Sequence, residues 1–199
     1  MSDVRVSVVF HSGYGHTARQ AEAAVRGAEG TEGVRASLHD ATVLDEGLWS
    51  ALDAADAIVF GTPTYMGGVS AAFQTFAEAT SSIWQRRGWQ GKLAAGFTNS
   101  AGTNGNKDTV LSALAVFAAQ HGMVWVPLGL LPGGEYSSRG HRDDLNRLGG
   151  FTGAMAQSSS DLGPDLAPAD SDLRTAEHLG AQVAKAALRF EHGRAAVMA

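Results

Sequence analysis

The chain contains no cysteine. Disulfides, thiolate metal sites and cysteine nucleophiles are thereby excluded. Basic residues are few: Lys and Arg total 15 against 20 Asp and Glu, for a formal charge of −5. With no basic run, neither nucleic acid nor an anionic membrane is expected as the main partner. Long apolar runs are also missing, and none approaches the ~20 residues that span a bilayer. The first residues lead straight into a strand-like run with no positively charged leader or cleavage site, so a cytoplasmic location is expected. His141, His178 and His192 share no ligand spacing, and no metal is expected.

What remains is 199 residues with 44% hydrophobic content and a mean hydropathy of −0.07. That length supports one substantial core, and a single domain over 1–199 is expected. Val4 to Phe10 is a continuous apolar run suited to a strand buried on both faces. It breaks into Ser12-Gly13-Tyr14-Gly15-His16-Thr17 and then into an alanine-rich helical pattern. A strand, a tight loop and a helix start together make an anion site, because the first helical N–H groups are unpaired and carry partial positive charge. No Lys or Arg lies between His11 and Ala18, so amides and hydroxyls must do the holding.

Several readings fit that loop. A P-loop is excluded because its lysine is absent. A dinucleotide-binding turn fits Gly13, Gly15 and Ala18, with Asp40 as the ribose-binding acid at the end of a second strand over 34–39. A mononucleotide loop fits the hydroxyls of Ser12 and Thr17 at its two ends. An ordinary turn is the remaining alternative.

Further along, strands are predicted at 57–61, 92–97 and 123–127, and helices at 17–29, 44–52, from Ser70, after Asn106 and over 172–190. Segment 128–169 reads as a long irregular excursion. Five strands alternating with helices predict a doubly wound parallel sheet, α/β/α in three layers. Polar, glycine-rich loops follow the first, third and fourth strands: 11–17, 61–68 and 98–106. Three such loops on one sheet edge suit a flat ligand with a phosphate tail better than a dinucleotide, whose signals follow the first two strands.

Segments S-G-Y-G-H-T at 12–17, G-T-P-T-Y-M-G at 61–67, A-T-S-S-I-W ending at Trp84, G-K-L-A at 91–94 and H-G-M-V-x-V-P at 121–127 occur in series. Together they resemble the flavodoxin-like FMN proteins, and within them the WrbA-type NAD(P)H:quinone oxidoreductases. The resemblance implies a flavodoxin-like sheet of order 2-1-3-4-5, bound FMN, NADH or NADPH as co-substrate, a quinone acceptor and a homodimer or homotetramer. It implies that Ser12, Gly13, Tyr14, Gly15, His16 and Thr17 hold the FMN phosphate. Pro63, Thr64, Tyr65, Met66 and Gly67 would line one side of the ring system. Asn99, Ser100, Ala101, Gly102, Thr103 and Asn104 would meet its pyrimidine end. His121 would contact the flavin, Tyr14 the nicotinamide, and Trp84 the substrate. His121 could equally cap the helix before it, and Trp84 could be ordinary packing. The chain departs from the family at Tyr65-Met66, where Arg-Phe is usual, and in 98–106, which lacks the usual Ser-Thr-Gly-Thr-Gly run.

Overall fold

In a computed structural model of the chain, residues 3–198 are described. The valine-rich run forms β1 (Val4–Phe10), and β2 (Val34–Asp40) lies beside it in parallel. On the other side of β1 lies β3 (Ala57–Tyr65), followed by β5 (Leu93–Ser100) and β6 (Val124–Trp125), all parallel. The order β2-β1-β3-β5-β6 is the flavodoxin-like one. Two short strands add to the five expected. β4 (Gly68–Val69) turns back on the end of β3, and β7 (Ala154–Gln157) pairs with the last residues of β5. β6 and β7 thus share the outer edge of β5, and the fifth strand is split by residues 126–153. The irregular reading of 128–169 is corrected at this point: four residues of the excursion rejoin the sheet.

Side chains along each central strand alternate between two cores, as the pleat requires. Val6, Val8, Val59, Ala95 and Phe97 face α1 (His16–Glu29) and α6 (Asp170–Met198). Val9, Ile58, Phe60 and Ala94 face α2 (Glu46–Ala54), α3 (Ala71–Ala79), α4 (Ser81–Gln85) and α5 (Lys107–Gln120). The second core is aromatic: Phe60, Phe73, Phe76, Trp89 and Phe117 meet ring to ring at centroid distances of 5.2–6.5 Å. Those distances fall in the favourable range for offset and edge-to-face pairs. Ser70 caps α3, its hydroxyl accepting from the Phe73 amide. Because all main strands are parallel, β1, β3 and β5 deliver their following loops to one edge.

Candidate functional site

That edge carries a cleft of about 520 Å³, within the usual size range of small-ligand sites. Ser12, Gly13, Tyr14, His16 and Thr17 line it from the first loop. Pro63, Thr64 and Tyr65 come from the second, and Asn99, Ser100 and Ala101 from the third. The three loops singled out in the sequence therefore meet around one space. Among the described residues lining it there is no Asp, Glu, Lys or Arg.

The first loop is built for close approach. Gly15, the residue before α1, is left-handed at φ +87 and offers no side-chain cap. The backbone N–H groups of Tyr14 to Thr17 donate to no backbone carbonyl among the described residues. Ser12 Oγ is buried without any hydrogen-bond partner. A buried hydroxyl left unmade costs roughly 1–3 kcal/mol, so an orphaned one in a ring of free amides marks a place for an acceptor. A side chain on Gly13 would lie 2.3 Å from the Tyr65 hydroxyl, which is why the two loops can touch.

The second loop is held from behind. Ser70 Oγ lies 2.8 Å from His11 Nδ1 and 3.1 Å from Thr62 Oγ1. Ser70 Oγ, which also accepts from the Phe73 amide, thus ties Thr62 and His11 together behind the loop. Thr98 Oγ1 donates to the Thr62 carbonyl at 2.6 Å, so Thr64, 2.8 Å away, donates to Thr98. Tyr65 crosses Tyr14 edge-on, with centroids 6.3 Å apart and planes at 74°. Burial pushes the Tyr65 pKa up and the neighbouring Tyr14 adds to it, against a Gly13 amide that lowers it. Tyr14 itself is 76% exposed and forms the mouth.

The third loop rests on a buried lysine. Lys107, the first residue of α5, is 1% exposed, and its Nζ donates to the carbonyls of Gly102, Thr103 and Asn104 at 2.6, 2.9 and 3.4 Å. Burial lowers its pKa to about 8, with Asp172 opposing and Arg147 reinforcing the shift. A peptide's C=O and N–H point in opposite directions, so turning these carbonyls inward turns the following amides outward.

A fourth wall was not anticipated from the sequence. Ser158, Ser160, Leu162 and Gly163 face the three loops across the cleft. Ser158 donates to Asn99 Oδ1 at 2.9 Å, leaving the Asn99 amide hydrogens to act as donors. Beneath this wall, the Arg147 guanidinium grips Asp172 through two bonds of 2.7 and 2.6 Å, and Asp172 also accepts the Gln157 amide. Burial pushes the Asp172 pKa up, while Arg147 and Gln157 pull against it.

Other expected residues fall elsewhere. Gly15, Met66, Gly67, Gly102, Thr103 and Asn104 sit in the three loops but outside the cleft lining. Trp84 is exposed on α4 and does not line it. His121 lies at the far end of α5, ~20 Å along the axis from the third loop at 1.5 Å per residue. There its Nε2 bonds Thr80 Oγ1 at 2.9 Å and its ring packs on Trp89, 4.6 Å away. The capping alternative describes it: its backbone amide closes the last turn. Asp40 binds Thr42, not the cleft.

A flat ring fits between the second and third loops, and a phosphate fits the first. This sheet and rim define a flavodoxin-like α/β protein. Residues 18–136 match the family model of NADPH-dependent FMN reductases, and the chain belongs to that family. It is 44% identical to the flavodoxin FldP of Pseudomonas aeruginosa over 89% of this chain and 94% of that one. It is 29% identical to an NAD(P)H dehydrogenase (quinone) of Aromatoleum aromaticum, over 97% of this chain and all of the relative (100%). The crystal structure of a flavodoxin, WrbA-like protein from Agrobacterium tumefaciens superimposes with a TM-score of 0.74 at 43% identity, covering 94% of this chain and 99% of that one. No helix among the described residues is long and apolar enough to cross a membrane.

Proposed function

We propose that the chain binds FMN and acts as an NAD(P)H:quinone oxidoreductase. One observation carries the reading: a single cleft joins an orphaned Ser12 hydroxyl among free amides at one end to an uncharged aromatic mouth at the other. Ser12 Oγ, the Thr17 hydroxyl and the amides that open α1 would hold the FMN phosphate. Pro63, Thr64 and Tyr65 would flank one side of the ring system, and Asn99, Ser100 and Ala101 the other. When bound, FMN supplies the two-electron chemistry between a nicotinamide and a quinone.

The chain's own part is electrostatic and steric. The Asn99 side-chain amide, its oxygen taken by Ser158, would offer donors where negative charge collects on reduction. A hydrogen bond to a charged acceptor contributes ~1.5–3 kcal/mol. Tyr14 and Tyr65 would stack a flat ring at the mouth, admitting nicotinamide and quinone in turn.

The test is steady-state turnover of the FMN-loaded chain with NADH and NADPH against a small benzoquinone panel. Parallel double-reciprocal lines are expected; a loaded protein that turns over no quinone contradicts the reading. The similarity to FldP favours a second reading, an electron carrier. A carrier would hold FMN yet oxidise neither nicotinamide directly.

A further inference from the structure

Resting on the FMN reading, we propose that segment 158–166 is a strap that limits the ligand at its phosphate end, so that the cleft accepts a flavin mononucleotide and rejects a flavin dinucleotide. The strap is pinned at both ends. At the sheet edge, the Ser158 amide donates to the Ser100 carbonyl at 3.1 Å, and the Ser158 hydroxyl holds Asn99. At the helix start, His16 Nε2 lies 2.8 Å from the Leu162 carbonyl and Arg19 Nη1 donates to the Pro164 carbonyl at 3.3 Å. A carbonyl only accepts, so His16 carries its proton on Nε2 in this contact.

Between those pins the strap closes on the phosphate loop. The Pro164 ring packs so tightly over Gly15 that a side chain there would come within 2.8 Å of it. Leu162 and Gly163 line the cleft opposite Ser12, His16 and Thr17. A terminal phosphate needs only the amides and hydroxyls of the loop. A phosphate esterified to a second nucleotide needs an exit past them, and Leu162 to Pro164 occupy the side facing α1. His16 and Arg19 are thus positioning residues that set ligand length by holding the strap.

The discriminating quantity is the affinity for FAD itself. FMN ends in a phosphomonoester and FAD carries a singly charged phosphodiester there, so a lost phosphate contact weakens both and FMN the more. Only a released strap makes FAD bind more tightly than it does to the wild type. Dissociation constants for riboflavin, FMN and FAD are to be measured by flavin-fluorescence titration of the full chain and its variants. The wild type is expected to prefer FMN over FAD by about 100-fold. His16→Ala is expected to bring that preference below about 10-fold. His16→Gln, whose amide N–H can reach the same carbonyl, keeps it near the wild-type value. If His16→Ala fails to fold, Arg19→Leu removes the outer pin alone and shifts the ratio in the same direction by less. A wild type that binds FAD as tightly as FMN, or pin variants that change the ratio only by weakening FMN and never tighten FAD, overturns the strap while leaving FMN binding intact. A wild type that binds neither FMN nor riboflavin overturns the flavin reading and the strap with it.

Discussion

The two sides of the cleft are built by different means. Segment 12–17 follows β1 directly, while 63–65 and 99–100 are the last residues of β3 and β5 themselves, with Pro63 and Asn99 paired in the ladder. The wall at 158–163 follows a four-residue strand on the sheet edge and depends on side-chain bonds to Asn99, His16, Arg19 and Asp172. Ligand contacts carried by a buried sheet are preorganised and hard to move. Contacts carried by a few side-chain bonds can be cut one at a time, which makes the second wall the adjustable one.

The largest effect expected is at the root of that wall. Arg147→Ala leaves Asp172 buried without its partner, and breaking such pairs costs ~3–5 kcal/mol. Urea denaturation should show a loss of that order. The pH dependence has a definite sign. Burial favours neutral Asp172, and without Arg147 its pKa rises further, so the deficit relative to wild type shrinks as pH falls and the group takes a proton. A loss that is small and flat with pH would mean the ion pair is not what anchors the wall.

Next in size is the rigid side. Ser12→Ala should weaken FMN by about 10–150-fold, the equivalent of ~1.5–3 kcal/mol for one bond to a charged group. Riboflavin, which lacks the phosphate, should be unaffected. The same change removes an orphaned buried hydroxyl. The ligand-free variant should therefore melt slightly higher than wild type, a combination that a merely structural serine would not produce.

A subtler effect concerns the support of the third loop. The Lys107 pKa is lowered to about 8, from an ordinary lysine value near 10.4. Between those values the unfolded chain binds more protons than the folded one, so this group's contribution to stability rises with pH across that window. The stability difference between wild type and Lys107→Met should tilt toward wild type from about pH 8 upward. Chemical denaturation at several pH values checks it, and a difference independent of pH would contradict it.

The smallest effect on flavin binding is expected at His121. His121→Phe should leave FMN affinity unchanged while costing stability, since the ring is buried against Trp89 and Phe117. A marked loss of FMN affinity would restore the role that the family resemblance implies.

These contrasts follow what could be read from residues alone. The first three loops were legible because each follows a short apolar run, and polar glycine-rich turns after such runs stand out. The doubly wound sheet followed from strand–helix alternation, and its strand order from the resemblance alone. The fourth wall was not legible. β7 is the four residues A-M-A-Q, too short for an alternating pattern to be distinguished from loop, and it lies about thirty positions beyond β6, its partner on the same edge. Nothing in the sequence around Lys107 signals its burial. Only the folded loop shows that its carbonyls close around Nζ. His121 carries two meanings in the sequence; within the chain its amide caps α5 and its ring packs on Trp89 and Phe117.

The most direct test is a crystal structure of the full chain grown with FMN. The account predicts the phosphate against Ser12, Thr17 and the amides that open α1, with the ring system between Pro63–Tyr65 and Asn99–Ala101. A cleft without flavin under saturating FMN, or a phosphate bound away from residues 12–17, would contradict it.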